Sequence, residues 1–71
     1  MEDCKSLLQE KAQAQLGITP TYEVVDQWGE EHQKTFSVAV YLGEDVAGLG
    51  TGRNKREAAQ NAARAALEKL E

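Results

Sequence analysis

Arg53, Lys55 and Arg56 put three of the chain's eight basic residues within four positions, in the stretch GTGRNKREAA at residues 50–59. An alanine-rich helix begins there, and cations at a helix start are unfavourable. The unpaired N–H groups of a helix N-terminus already amount to about half a positive charge. Each added cation destabilises that end by a few tenths of a kcal/mol, up to about 1. An arriving anion reverses the sign of the effect, and phosphate is the anion such an end suits best. Gly50 and Gly52 remove side chains that would obstruct the approach of a ligand's backbone. The alternative is a solvated charged turn whose glycines serve only the end of a strand.

Other chemistry finds little support. His32 is the single histidine, and Glu30, Glu31 and His32 are consecutive. Neighbours on extended chain point to alternate sides, which makes a poor metal site. Two acids in a polar turn lack the desolvation that acid–base work needs. No Ser/His/Asp or Cys/His set assembles, so no catalytic residue and no metal ligand is assigned. GLGTGR, residues 48–53, fails as a dinucleotide fingerprint: its sixth position is Arg53 and no βαβ unit surrounds it.

Seventy-one residues make one domain at most, with a small core. Hydrophobic content of 41% beside 28% charged residues fits a folded domain better than disorder. No apolar run nears the roughly 18 residues of a membrane span, and MEDCKS lacks a signal-peptide pattern. Cys4, the single cysteine, cannot form an internal disulfide, which favours a reducing cytoplasm. The formal net charge of −4 argues against a nucleic-acid binder if taken as a total. Residues 53–56 nevertheless carry +3, against five basic and twelve acidic groups elsewhere, a balance of −7. With a Debye length of about 8 Å at physiological salt, a distant carboxylate does little to cancel a local patch.

The positioning elements follow from periodicity. Asp3 is an N-cap for a helix running to about Leu16, with Leu8, Ala12 and Leu16 as its apolar stripe and Cys4 and Leu7 beside them. The opposite stripe, Ser6, Gln9, Glu10 and Gln13, is polar and nearly uncharged; it suits water, or sugar hydroxyls. Gly17 ends the helix. A strand follows Pro20, then a polar turn WGEEHQK around Gly29. TFSVAVYL alternates Phe36, Val38, Val40 and Leu42 with Thr35, Ser37, Ala39 and Tyr41, a half-buried strand. GED makes a tight connection to a glycine-broken third strand, VAGLGTG. Short turns make the sheet antiparallel. Asn54 caps the last helix, with Glu57 completing a capping box. Ala59, Ala62, Ala63, Ala66, Leu67 and Leu70 form its buried face, and the alanines let it approach the sheet closely. The expected class is α+β, in the order α-β-β-β-α, with two helices on one face of a three-stranded antiparallel sheet.

That order, with LLQE in the first helix, GEEHQKTF after the first strand and GTGRNKREAAQNAARAAL entering the last helix, resembles the double-stranded RNA-binding domain. The similarity covers Asp3 to about Leu70 and is greatest to the C-terminal domain of the bacterial ribonuclease III family. It implies sequence-tolerant binding of A-form RNA through three contacts. Ser6, Gln9, Glu10 and Gln13 would lie in one minor groove, and Gly29, Glu30, Glu31 and His32 in the next. Arg53, Asn54, Lys55 and Arg56 would straddle the major-groove phosphates between them, in the manner of shape readers that span about 16 base pairs. Taken alone, His32 is as well read as a spectator. Tyr22, Phe36, Ala58, Ala62 and Leu67 take core roles.

The resemblance also implies a binding module cut from a longer chain, a single domain over 1–71 with a core of about 3–70 and Met1 an introduced start. The acidic magnesium-binding motif of the nuclease is absent from these 71 residues. The chain is therefore not the enzyme by itself, and magnesium is expected only for a nuclease domain of the same polypeptide. No cofactor is expected for this domain, which should be a monomer outside membranes. Two departures stand out. Many members carry a third basic residue where Ala59 stands, and Trp28 is unusual, packing on its strand or stacking on a sugar. A protein-interaction module of the same fold is the alternative.

Overall fold

The computed structural model describes residues 3–70, so Met1 lies outside them. Five elements follow in order: α1 (Cys4–Leu16), β1 (Thr21–Glu30), β2 (Gln33–Leu42), β3 (Asp45–Gly52) and α2 (Lys55–Lys69). The strands form one antiparallel sheet in the order β1-β2-β3. This is the α-β-β-β-α arrangement that the periodicity predicts.

The core lies between the sheet and the helices. Leu8, Val38 and Val40 are its largest fully buried side chains, joined by Cys4, Ala47 and the α2 row Ala58, Ala59, Ala62, Ala63, Ala66 and Leu67. Tyr22, Phe36, Leu42 and Leu70 pack against this cluster and stay partly exposed. Full burial of Leu8, Val38 and Val40 contributes about 1.5–3 kcal/mol each. Burial along α1 follows Cys4, Leu8 and Ala12, then stops. Leu16, expected in the apolar stripe, is 51% exposed. The helix extends one turn beyond the core that covers it.

Three glycines set the distance between layers. Gly48, Gly50 and Gly52 recur every second residue on the β3 face that meets α2. A Cβ at Gly50 would lie 2.6 Å from the Ala58 carbonyl oxygen, and one at Gly52 would lie 2.6 Å from the Ala58 nitrogen. The helix backbone therefore rests directly on the strand, glycine against alanine. Gly50 and Gly52 do not open a path for a ligand, as the sequence suggests; α2 itself fills the space.

The first hairpin is longer than its composition implies. The polar stretch WGEEHQK is not a loop: Trp28 pairs with Thr35, Gly29 with Lys34 and Glu30 with Gln33, which leaves only Glu31 and His32 as the turn. Gly29 has φ +102°, and a Cβ there would meet the Gln33 carbonyl oxygen at 2.6 Å. The register shift between Val24 and Asp26 leaves Val25 as a bulge. One extra residue inverts every later side chain of a strand with period 2. Trp28 thus lies opposite Thr35 on the open face of the sheet, away from the helices, and is 48% exposed.

Candidate functional site

The start of α1 is fastened twice. Asp3 accepts hydrogen bonds from the Lys5 and Ser6 backbone N–H groups at 3.1 and 3.3 Å. Gln60 of α2 reaches across: its Oε1 accepts from the Cys4 N–H at 2.8 Å, and its Nε2 donates to Asp3 Oδ1 at 2.7 Å. The Gln60 amide, with the Ser6 hydroxyl and N–H, holds the Asp3 carboxyl down at about 2. This clamp fixes α1 relative to the N-terminal half of α2.

On that fixed helix, Ser6, Gln9, Glu10 and Gln13 are all exposed. They differ in freedom. The Ser6 hydroxyl donates to Asp3 Oδ2 at 2.9 Å, and Gln13 Nε2 donates to the Thr19 hydroxyl at 2.6 Å. Gln9 and Glu10 are in no side-chain hydrogen bond among the described residues.

The turn into α2 is a variant of the expected box. Asn54 Oδ1 accepts from the Glu57 N–H at 2.7 Å, as a cap should. Glu57 reaches back one residue further than the standard box, to the Arg53 N–H at 3.0 Å. Its other oxygen faces the Arg53 guanidinium at 3.5 Å. The Arg53 N–H, and then its guanidinium, hold the Glu57 carboxyl below its usual range. The local +3 is therefore offset by the Glu57 carboxylate. Lys55 and Arg56 are exposed and in no ion pair among the described residues.

Surface clefts border these parts. One of about 360 Å³ is lined by Asp3, Lys5, Ser6 and Gln9 of the α1 region, Pro20 and Tyr22 of the β1 side, and Arg56 and Gln60 of α2. A second, about 230 Å³, joins Lys5, Tyr22 and Val24 to Lys55, Arg56 and Ala59. A third, about 270 Å³, runs from His32, Gln33, Lys34 and Thr35 to Arg53. The Arg53–Arg56 turn stands between the polar face of α1 and the tip of the first hairpin. Glu10 and Gln13 lie further along α1, outside these clefts, as do Gly29, Glu30 and Glu31 at the hairpin tip and Asn54. His32 Nε2 lies 3.9 Å from Glu30 Oε1, with both side chains 80% exposed. Among the described residues, no three His, Cys, Asp or Glu side chains gather as a metal site.

Three residues at these clefts escape the motif reading: Lys5, Lys34 and Gln60. Lys5 stands one helical turn before Gln9, so spacing alone could have found it. Lys34 follows His32 by two positions on the hairpin. Nothing local signals Gln60, whose partner Asp3 lies 57 residues away. The Lys5 ammonium sits 4.9 Å over the Tyr22 ring, and the Tyr22 hydroxyl is buried with no hydrogen-bond partner among the described residues. Burial, reinforced by the nearby Asp3 charge, pushes that phenol up to about 12. No described helix is long and apolar enough to cross a membrane.

Comparison with known proteins identifies the family and the fold. A family model described as "Double-stranded RNA binding motif" matches residues 4–70. Ribonuclease 3 of Geobacter sulfurreducens is 54% identical over 69 residues, covering 97% of this chain and 28% of that protein. Ribonuclease 3 of Myxococcus xanthus is 52% identical over 68 residues, covering 96% of this chain and 26% of that protein. Among solved structures, Dicer from Pichia stipitis superposes with a TM-score of 0.74 at 30% identity, over 93% of this chain and 32% of that one. The chain thus spans less than a third of the relatives it matches.

Proposed function

The chain belongs to the double-stranded RNA binding motif family, and from that premise we propose that it binds A-form RNA duplexes by shape, as the substrate-binding module of an endoribonuclease of the ribonuclease III type. Ser6, Gln9, Glu10 and Gln13 contact ribose hydroxyls in one minor groove. Gly29, Glu30, Glu31 and His32 do so in the next. Arg53, Asn54, Lys55 and Arg56 hold the intervening phosphates. A-form RNA offers a wide, shallow minor groove rich in 2′-hydroxyls and a major groove too narrow for side chains to read. Hydrogen-bonding groups without cations at the two ends, the carboxylates of Glu10, Glu30 and Glu31 among them, and cations in the middle match that alternation. Glu10 fits as a hydroxyl acceptor, since a carboxylate would repel phosphate.

The observation that carries the reading is that one short basic turn borders clefts on both sides: Arg56 lines one with Ser6 and Gln9, and Arg53 lines another with His32. The module works as a monomer in the cytoplasm, where a lone buried thiol, Cys4, suits the reducing conditions. It takes no cofactor itself. Magnesium belongs to the nuclease domain of the same polypeptide, for which this domain prolongs substrate residence.

Titration of a labelled RNA duplex, the same DNA duplex and single-stranded RNA at two salt concentrations tests the proposal. The expected result is a clear preference for duplex RNA that weakens as salt rises. Lys55→Ala with Arg56→Ala should make the log–log salt slope shallower by roughly one to two units, by analogy with the just-under-one unit per phosphate known for DNA. Equal affinity for both duplexes overturns it.

A further inference from the structure

Position 59 lies on the wall of a cleft. Ala59 is 7% exposed, and the cleft it lines also holds Lys55 and Arg56 from the same helix. A cation at position 59 would add a third charge there, one turn beyond Lys55. The chain has none on α2 at this point. It has one facing the same space from the other helix, Lys5 of α1.

We propose that Lys5 is the third phosphate-binding cation of this surface, so that the groove between α1 and α2 holds one phosphodiester of the duplex among Lys5, Lys55 and Arg56. The assignment rests on the RNA-binding reading above and adds a residue to it. Three observations support it. Lys5 lines both clefts that contain Arg56. Its ammonium is held 4.9 Å over the Tyr22 ring, and the face of an aromatic ring orients a cation without neutralising it. Among the described residues Lys5 is in no ion pair, whereas Arg53 is engaged by Glu57. Among the described residues the one carboxylate lining either cleft is that of Asp3, and its oxygens accept from Gln60 Nε2, the Ser6 hydroxyl and the α1 N–H groups. Val24, Val38 and Ala59 form apolar walls to the cleft, which reduces screening of the charges it holds. Pairing α1 and α2 in this way also explains why Gln60 and Asp3 lock the two helices: a phosphate shared between them needs a fixed separation.

The test is the salt dependence of RNA-duplex affinity for the wild type, Lys5→Met, Lys5→Arg, and Lys5→Met combined with Ala59→Lys. Methionine keeps the chain length against Tyr22 and removes the charge. The expected result is a slope shallower by just under one unit in Lys5→Met and a wild-type slope in Lys5→Arg. The double variant should regain most of the loss, provided circular dichroism shows it folded. Melting temperatures separate this from a structural role, since Lys5→Met should melt near the wild type. An unchanged slope in Lys5→Met, in a protein that still prefers RNA to DNA duplex, overturns the assignment and leaves the proposed function standing. Equal wild-type affinity for RNA and DNA overturns the function, and the assignment with it.

Discussion

Asp3 caps α1 and, through Gln60, ties that helix to α2. Its pH behaviour follows from those bonds. The folded carboxyl titrates at about 2, below its ordinary 3.8, so the unfolded chain takes up the proton first as acid is added. The stabilisation is complete above about pH 4 and disappears as pH falls towards about 2. Asp3→Asn should therefore lower the melting temperature at pH 6 and flatten its fall between about pH 4 and pH 2. Thermal melts across that range check this, and an acid limb as steep as the wild type's would contradict it. The N-cap itself is legible in the sequence because capping is local. The same holds for Asn54 and Glu57. Gln60 is not legible, because it acts across 57 residues of chain. Nor is the engagement of Arg53, since counting charge over residues 53–56 stops one position short of Glu57.

Elements show where pattern reading succeeds and where packing overrides it. Strong periodicities gave α1, β2 and α2 nearly to the residue. The β1–β2 hairpin is longer than its composition predicts because its outer half projects from the core, where both faces are wet and no alternation survives. Polar composition looks like a loop when it can equally be a two-residue turn on a protruding ladder. The glycines of β3 were legible as breaks but not as spacers, because their meaning depends on α2 crossing above them. That contact makes a specific demand. Gly50→Ala would push a Cβ into helix backbone that no side-chain rotation can relieve, and overpacking of this kind typically costs about 1–3 kcal/mol. Urea unfolding should show at least that loss. Leu49→Ala, next along the strand and 60% exposed, should stay within about 0.5 kcal/mol of the wild type. Equal stability of the two variants would contradict the close packing described here.

At the scale of the whole molecule, an acidic chain with a basic contact surface is a matter of distance. The molecule extends 40 × 29 × 15 Å, and its long axis is several times the Debye length of about 8 Å at physiological salt. Carboxylates at one end therefore do little to the potential at Lys55 and Arg56, and a net charge of −4 is compatible with an anion-binding edge. The sheet face bearing Trp28 and Leu49 lies away from the helices, and neither of those two residues lines any of the three clefts. On the proposed mode of binding, the surface divides into an engaged side and a bystander side. Amide chemical-shift mapping during titration with an RNA duplex of about 16 base pairs tests that division most directly. The predicted result is simultaneous shifts at Gln9, His32 and Lys55, saturating at one concentration, with Glu23, Leu49 and Thr51 unmoved. Shifts confined to the start of α2, or concentrated on the open sheet face, would contradict it.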